Sequence, residues 1–153
     1  MAKRALEKRN LGAPLLGALL RMPGDEIRER MLAALHDQGF SDLTSAHMAV
    51  LRYPGPDGLK PVELATQTGM TKQALNYLLA QLEEGGYLVR RGDPEDKRAK
   101  RLVMTEKGFE AGRVMRAEVL RIEKEYTNAY GRKALDELKS HLVDLGRVLD
   151  RPD

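Results

Sequence analysis

The chain has 153 residues, enough for one domain with a real hydrophobic core or for one domain plus a dimerisation arm. Hydrophobic residues make up 42%, which argues against a disordered chain, and the absence of cysteine excludes disulfides, thiolate zinc sites and thiol-based redox sensing. Lysine and arginine total 26 against 23 acidic residues, a net charge of +3 that is compatible with an anionic partner without requiring one.

Met1 to Asn10 reads as a basic arm carrying Lys3, Arg4, Lys8 and Arg9. The apolar run behind it, Leu11 to Leu20, contains Pro14 and ends at Arg21. It is short of the roughly 20 apolar residues a membrane helix needs, and it lacks the cleavage pattern of a signal peptide. The cytoplasm is the expected location. Ala13 to Met22 reads as a short apolar helix stopped by Pro23-Gly24. Asp25 then caps a second segment in which Ile27, Met31 and Leu35 recur on one face until Gly39. A monomer offers these leucine-rich segments little to pack against, and a dimer interface is one natural use for them.

Thr44 or Ser45 starts the next predicted helix, which passes Met48, Val50 and Leu51 and is ended by Pro54. After a glycine- and proline-rich loop, Pro61 suits the first turn of a short helix, with Glu63 near its positive end. That helix gives way to Gly69. Thr71 caps another helix through Glu84, with Leu75, Leu78, Leu79 and Leu82 as its buried stripe and Gly85-Gly86 as its terminator. Tyr87 to Arg91 and Lys100 to Met104 are strand-like, joined by the charged turn Gly92 to Ala99. Thr105 caps a long helix with Ala111, Met115, Val119, Ile122, Tyr126 and Ala129 on one face. After Gly131, a final helix repeats the pattern with Leu135, Leu138, Leu142 and Leu145. The expected fold class is mainly α with a small β-hairpin wing (α+β). Two helices joined by a tight glycine turn and followed at once by a basic hairpin form a winged helix-turn-helix.

The exposed side of the Thr71–Glu84 helix shows Thr71, Lys72, Gln73, Asn76 and Tyr77 near its start. Gln and Asn can pair bidentately with adenine, Thr and Tyr can donate to phosphate, and Lys supplies charge. A solvated polar face is the bland alternative. The hairpin concentrates Arg90, Arg91, Lys97, Arg98, Lys100 and Arg101, and placed beside a recognition helix it can send an Arg into the minor groove. Asp93, Glu95 and Asp96 run against this charge. Asp96 is read as an orienter that holds the Arg98 guanidinium in a fixed geometry.

The run Asp93-Pro94-Glu95-Asp96-Lys97-Arg98-Ala99-Lys100-Arg101-Leu102-Val103-Met104-Thr105-Glu106-Lys107-Gly108 resembles the wing signature of the MarR family of bacterial regulators. Val62-Glu63-Leu64-Ala65, Gly69-Met70-Thr71-Lys72-Gln73 and Leu82-Glu83-Glu84-Gly85-Gly86-Tyr87 look like that family's helix-turn-helix. The resemblance covers about residues 44 to 110 in sequence and the whole chain in helix order, and several matches in order are more specific than any one. It implies a homodimer on a pseudo-palindromic operator, commonly a repressor, with Arg98 at the position that enters the minor groove. It implies dimerisation helices in 1–43 and 109–153 around a DNA-binding domain in 44–108. Met104 stands where the family usually has Leu, and Pro23-Gly24 splits the first helix.

The DNA-contact set is therefore Thr71, Lys72, Gln73, Asn76, Tyr77, Lys97, Arg98 and Lys100, with Asp96 orienting the wing. No cofactor or metal is expected. The family often senses small aromatic acids, and Arg21, His47 and Arg52 could fall near such a cleft, but no effector set is legible. The other readings are an enzyme, a winged-helix protein-interaction module, or a metal-responsive regulator without an aromatic effector. Against an enzyme or metal site stand His36, His47 and His141, scattered without partners at ligand spacing, and the unremarkable helical pair His141 and Asp144.

Overall fold

The computed structural model describes residues 14–149 apart from Pro56 and Lys97. The basic arm and the wing residue Lys97 therefore lie outside the described residues. Among those described, six helices and one hairpin follow in the order α1 (Leu16–Asp37), α2 (Ser45–Leu51), α3 (Pro61–Thr68), α4 (Lys72–Glu84), β1 (Leu88–Gly92), β2 (Lys100–Met104), α5 (Glu106–Tyr130) and α6 (Arg132–Leu149). One compact unit ends at Met115 and a second begins at Arg116. No described helix is long and apolar enough to cross a membrane.

The first unit is built on a single hydrophobic core. Leu35 of α1, Met48, Val50 and Leu51 of α2, Leu64 of α3 and the expected α4 stripe Leu75, Leu78, Leu79 and Leu82 are all buried in it. Leu88, Leu102 and Met104 add the inner face of the hairpin, because alternate strand residues point to one side. Ala111 and Met115 close it from α5.

The start signals act as the sequence implies. The Thr44 side chain accepts the His47 backbone N–H, and the His47 ring in turn accepts the Thr44 N–H, so α2 opens with a reciprocal capping arrangement. Thr71 caps α4 by accepting the Ala74 N–H at 3.2 Å. The turn between α3 and α4 depends on Gly69, whose φ of 65° lies in the left-handed region.

The first helix departs from expectation. Residues Leu16–Asp37 form one continuous helix with Pro23 inside it, and Asp25 caps nothing but pairs with Arg28 at 2.7 Å. Proline removes one intrahelical bond and crowds one carbonyl. With a full helical segment already formed on each side, that local loss does not break a cooperative helix. Smaller differences occur elsewhere: α2 ends at Leu51 rather than at Tyr53, and Ala129 of α5 is exposed. In the second unit Ile122 and Leu135 are buried.

Two apolar faces are left open. Leu16, Leu19 and Leu20 of α1 are exposed, as are Leu138, Leu142, Val143 and Val148 of α6.

Candidate nucleic-acid interface

The polar end of α4 is displayed as its sequence requires. With the leucine stripe facing the core, Thr71, Lys72, Gln73, Asn76 and Tyr77 are all exposed. Lys72 and Asn76 share a groove with Lys60 and Val62, at the start of α3, and with Ala99 and Lys100, where the wing re-enters the sheet. Three residues of the expected contact set, Lys72, Asn76 and Lys100, are thus brought together. Arg98 is exposed at the wing tip, one residue before Ala99, while Gln73 and Tyr77 lie one turn apart on the helix surface outside that groove.

The wing holds its shape through aspartates. Strands β1 and β2 pair antiparallel from Leu88 opposite Met104 to Gly92 opposite Lys100. At the tip, the Asp96 carboxylate accepts the Arg98 backbone N–H at 2.9 Å, and the Asp96 carbonyl accepts from Ala99 at 2.9 Å. The contact of Asp96 with Arg98 is thus to the backbone, not to the guanidinium expected from the sequence. An aspartate reaches the amide two residues on more readily than a long flexible side chain can fold back to it. Among the described residues no carboxylate pairs with the Arg98 guanidinium.

The residue that sequence reasoning missed is Asp93. Its side chain is fully buried, and it accepts the Glu95 N–H at 2.9 Å, Arg101 Nε at 3.2 Å and Lys60 Nζ at 3.2 Å. These contacts hold its carboxyl well below the usual 3.8, at about 2, with the Glu95 amide the largest cause and the Lys60 and Arg101 charges acting with it against burial. Arg101 also donates to the Asp57 carbonyl at 3.0 Å. Arg101 therefore serves the wing's base and not its outer face. The Asp-Pro-Glu turn was the available signal, since an aspartate commonly accepts the amide two residues later.

The same base takes in the loop before α3. Leu59 exchanges backbone bonds with Leu102 at 3.0 and 2.8 Å, adding a bridge to the hairpin. Gly58 makes this approach possible: its φ is 74°, and a Cβ there would come within 2.7 Å of the Leu102 carbonyl oxygen. Arg90 is also engaged, donating to Glu83 at 2.8 Å.

The histidines divide by surroundings. His47 is buried, with Nδ1 at 3.1 Å from the Thr44 amide and Nε2 at 3.0 Å from Gln81 Oε1. Among the described residues, no group of three or more His, Asp or Glu side chains could hold a metal ion.

A model described as the MarR family matches residues 41–99, the stretch from α2 through most of the wing. Among solved structures, the chain is 30% identical to the transcriptional repressor CouR, solved bound to a 23-mer DNA duplex, covering 86% of this chain and 92% of that one with a TM-score of 0.67. It is 28% identical to a transcriptional regulator from Thermotoga maritima, covering 88% and 94%, with a TM-score of 0.61. Wild-type apo MarR from E. coli is 22% identical over 86% of this chain and 97% of its own, with a TM-score of 0.69, a likeness of fold alone.

Proposed function

The chain belongs to the MarR family of transcriptional regulators, and from that premise we propose that it is a homodimeric repressor that binds a pseudo-palindromic operator and is released by a small-molecule effector. The observation that carries the reading is the groove shared by Lys72 and Asn76 of α4 and Lys100 of the wing. It sets base-reading and phosphate-binding chemistry side by side on an exposed face, where polar side chains at a helix start can enter a major groove while the hairpin follows the backbone. Thr71, Gln73 and Tyr77 extend the contact along α4, and Arg98 is the residue for the minor groove, with Asp96 holding its backbone. Residues 44–108 form the DNA-binding part in this reading, and 1–43 and 109–153 serve dimerisation. The open leucine faces of α1 and α6 supply apolar area for that purpose.

Selection of bound duplexes from a random pool with the full-length protein tests the reading. The expected result is a two-fold site with half-sites about one helical turn apart and binding that weakens steeply as salt rises. A pool that shows no enrichment over repeated rounds would refute it.

A further inference from the structure

A line of hydrogen bonds leads from the N-cap of α2, through the buried His47, to the exposed face of α4. The Thr44 backbone N–H and the Thr44 hydroxyl both lie 3.1 Å from His47 Nδ1. On the other side of the ring, Nε2 lies 3.0 Å from Gln81 Oε1. Gln81 then donates from Nε2 to the Tyr77 hydroxyl at 3.3 Å, one helical turn back along α4. Tyr77 is 66% exposed, at the head of this line.

Elementary donor and acceptor accounting gives the line a direction. A backbone amide has only a proton to give, so Nδ1 must accept. The neutral imidazole then carries its proton on Nε2 and donates it to the Gln81 carbonyl oxygen. That leaves the Gln81 amide as the donor toward Tyr77, and the tyrosine oxygen must accept. With that lone pair occupied, the phenolic proton turns to the far side, away from Gln81. Phosphate oxygens only accept, so a hydroxyl set in this way is matched to a DNA backbone and unsuited to receive a bond from a base amino group.

We propose that His47 and Gln81 are positioning residues which fix the Tyr77 hydroxyl as a donor toward a backbone phosphate. The proposal rests on the DNA-binding reading above. It adds a job for a buried histidine that touches no DNA and for a glutamine two turns beyond Gln73. The capping of α2 and the polarity of a surface contact on α4 become one connected arrangement.

The test uses the full-length protein and the duplex returned by selection. Long-range proton–nitrogen correlation spectra of the free protein should show His47 with its proton on Nε2; a proton on Nδ1 would overturn the proposal whatever the DNA does. Binding titrations should show Tyr77→Phe losing about fivefold to tenfold in affinity, as for a hydrogen bond to a charged group at a wet interface. Gln81→Met should lose about twofold to threefold alone and nothing further in the Tyr77→Phe background. Equal losses in both backgrounds would show that Gln81 acts without Tyr77, and wild-type affinity in Tyr77→Phe would remove the phosphate contact. If the wild type binds no duplex, the proposed function itself fails and this inference goes with it; if the wild type binds while these variants misbehave as described, only the inference fails.

Discussion

Arg101 Nε donates to the buried carboxylate of Asp93 at 3.2 Å, across the base of the wing. Lys60 reaches the same oxygen from the start of α3, so one buried charge joins the helix-turn-helix to the hairpin. A buried carboxylate facing two cations is stable only while all three remain together, because removing one partner strands the rest.

The Asp93→Asn variant keeps the volume and the acceptor for Glu95 but loses the charge. We expect its melting temperature at neutral pH to fall by several degrees, measured by circular dichroism. The effect should depend on pH in a defined direction. Because the Asp93 carboxyl is held at about 2 against a usual 3.8, its contribution is complete above the usual value and is lost as pH falls from about 4 toward 2. The difference between wild type and variant should shrink across that window. A constant difference down to pH 2 would show that the charge is not what holds the wing.

Arg98→Ala should weaken operator binding by about tenfold, the scale of losing one well-placed Arg contact, while leaving the melting temperature unchanged. The exposed side chain makes no described contact whose loss would affect folding. Unchanged affinity in a mobility-shift titration would count against the minor-groove role.

Gln73 and Asn76 should govern which sequences are preferred. Base contacts carry specificity and phosphate contacts only position the protein, so substitution to Ala at either should change the selected consensus at a defined base pair. The same change at Lys72 should weaken all sequences alike and flatten the salt dependence. Identical consensus sites from both the Gln73→Ala and Asn76→Ala proteins would mark those residues as solvent-facing only.

Leu138 and Leu142 lie one turn apart on α6 and are both exposed. Replacing both with Glu should yield a monomer by sedimentation velocity, with helical content retained, since neither side chain is part of a buried core. DNA affinity should fall by more than about tenfold because the two half-sites are no longer engaged together. A dimer of wild-type stability would place the interface elsewhere.

The elements were legible from sequence wherever a local rule decides. Thr71 as cap, Gly69 as turn and Leu75, Leu78, Leu79 and Leu82 as the buried stripe of α4 each depend on neighbours within about one turn of helix, and the exposure of Gln73 and Asn76 follows from that stripe. Pro23 is where the local rule fails, because its penalty falls on one turn while the helix on both sides of it is cooperative. Leu35 reads as part of an apolar arm, yet it is fully buried in the winged unit, so the arm and the core are not separable at the loop that follows α1.

Sequence alone determined the order of the helices from α2 onward, the polar end of α4 and the basic hairpin, because spacing and capping are set by residues close in the chain. The tertiary structure decided which charges are spent internally. Lys60 stands 33 positions from Asp93 and 41 from Arg101, yet all three meet at one carboxylate, and His47 meets Gln81 across 34 positions. Such partnerships arise from packing between elements, and no local pattern distinguishes an arginine that braces a wing from one that is free to reach a phosphate.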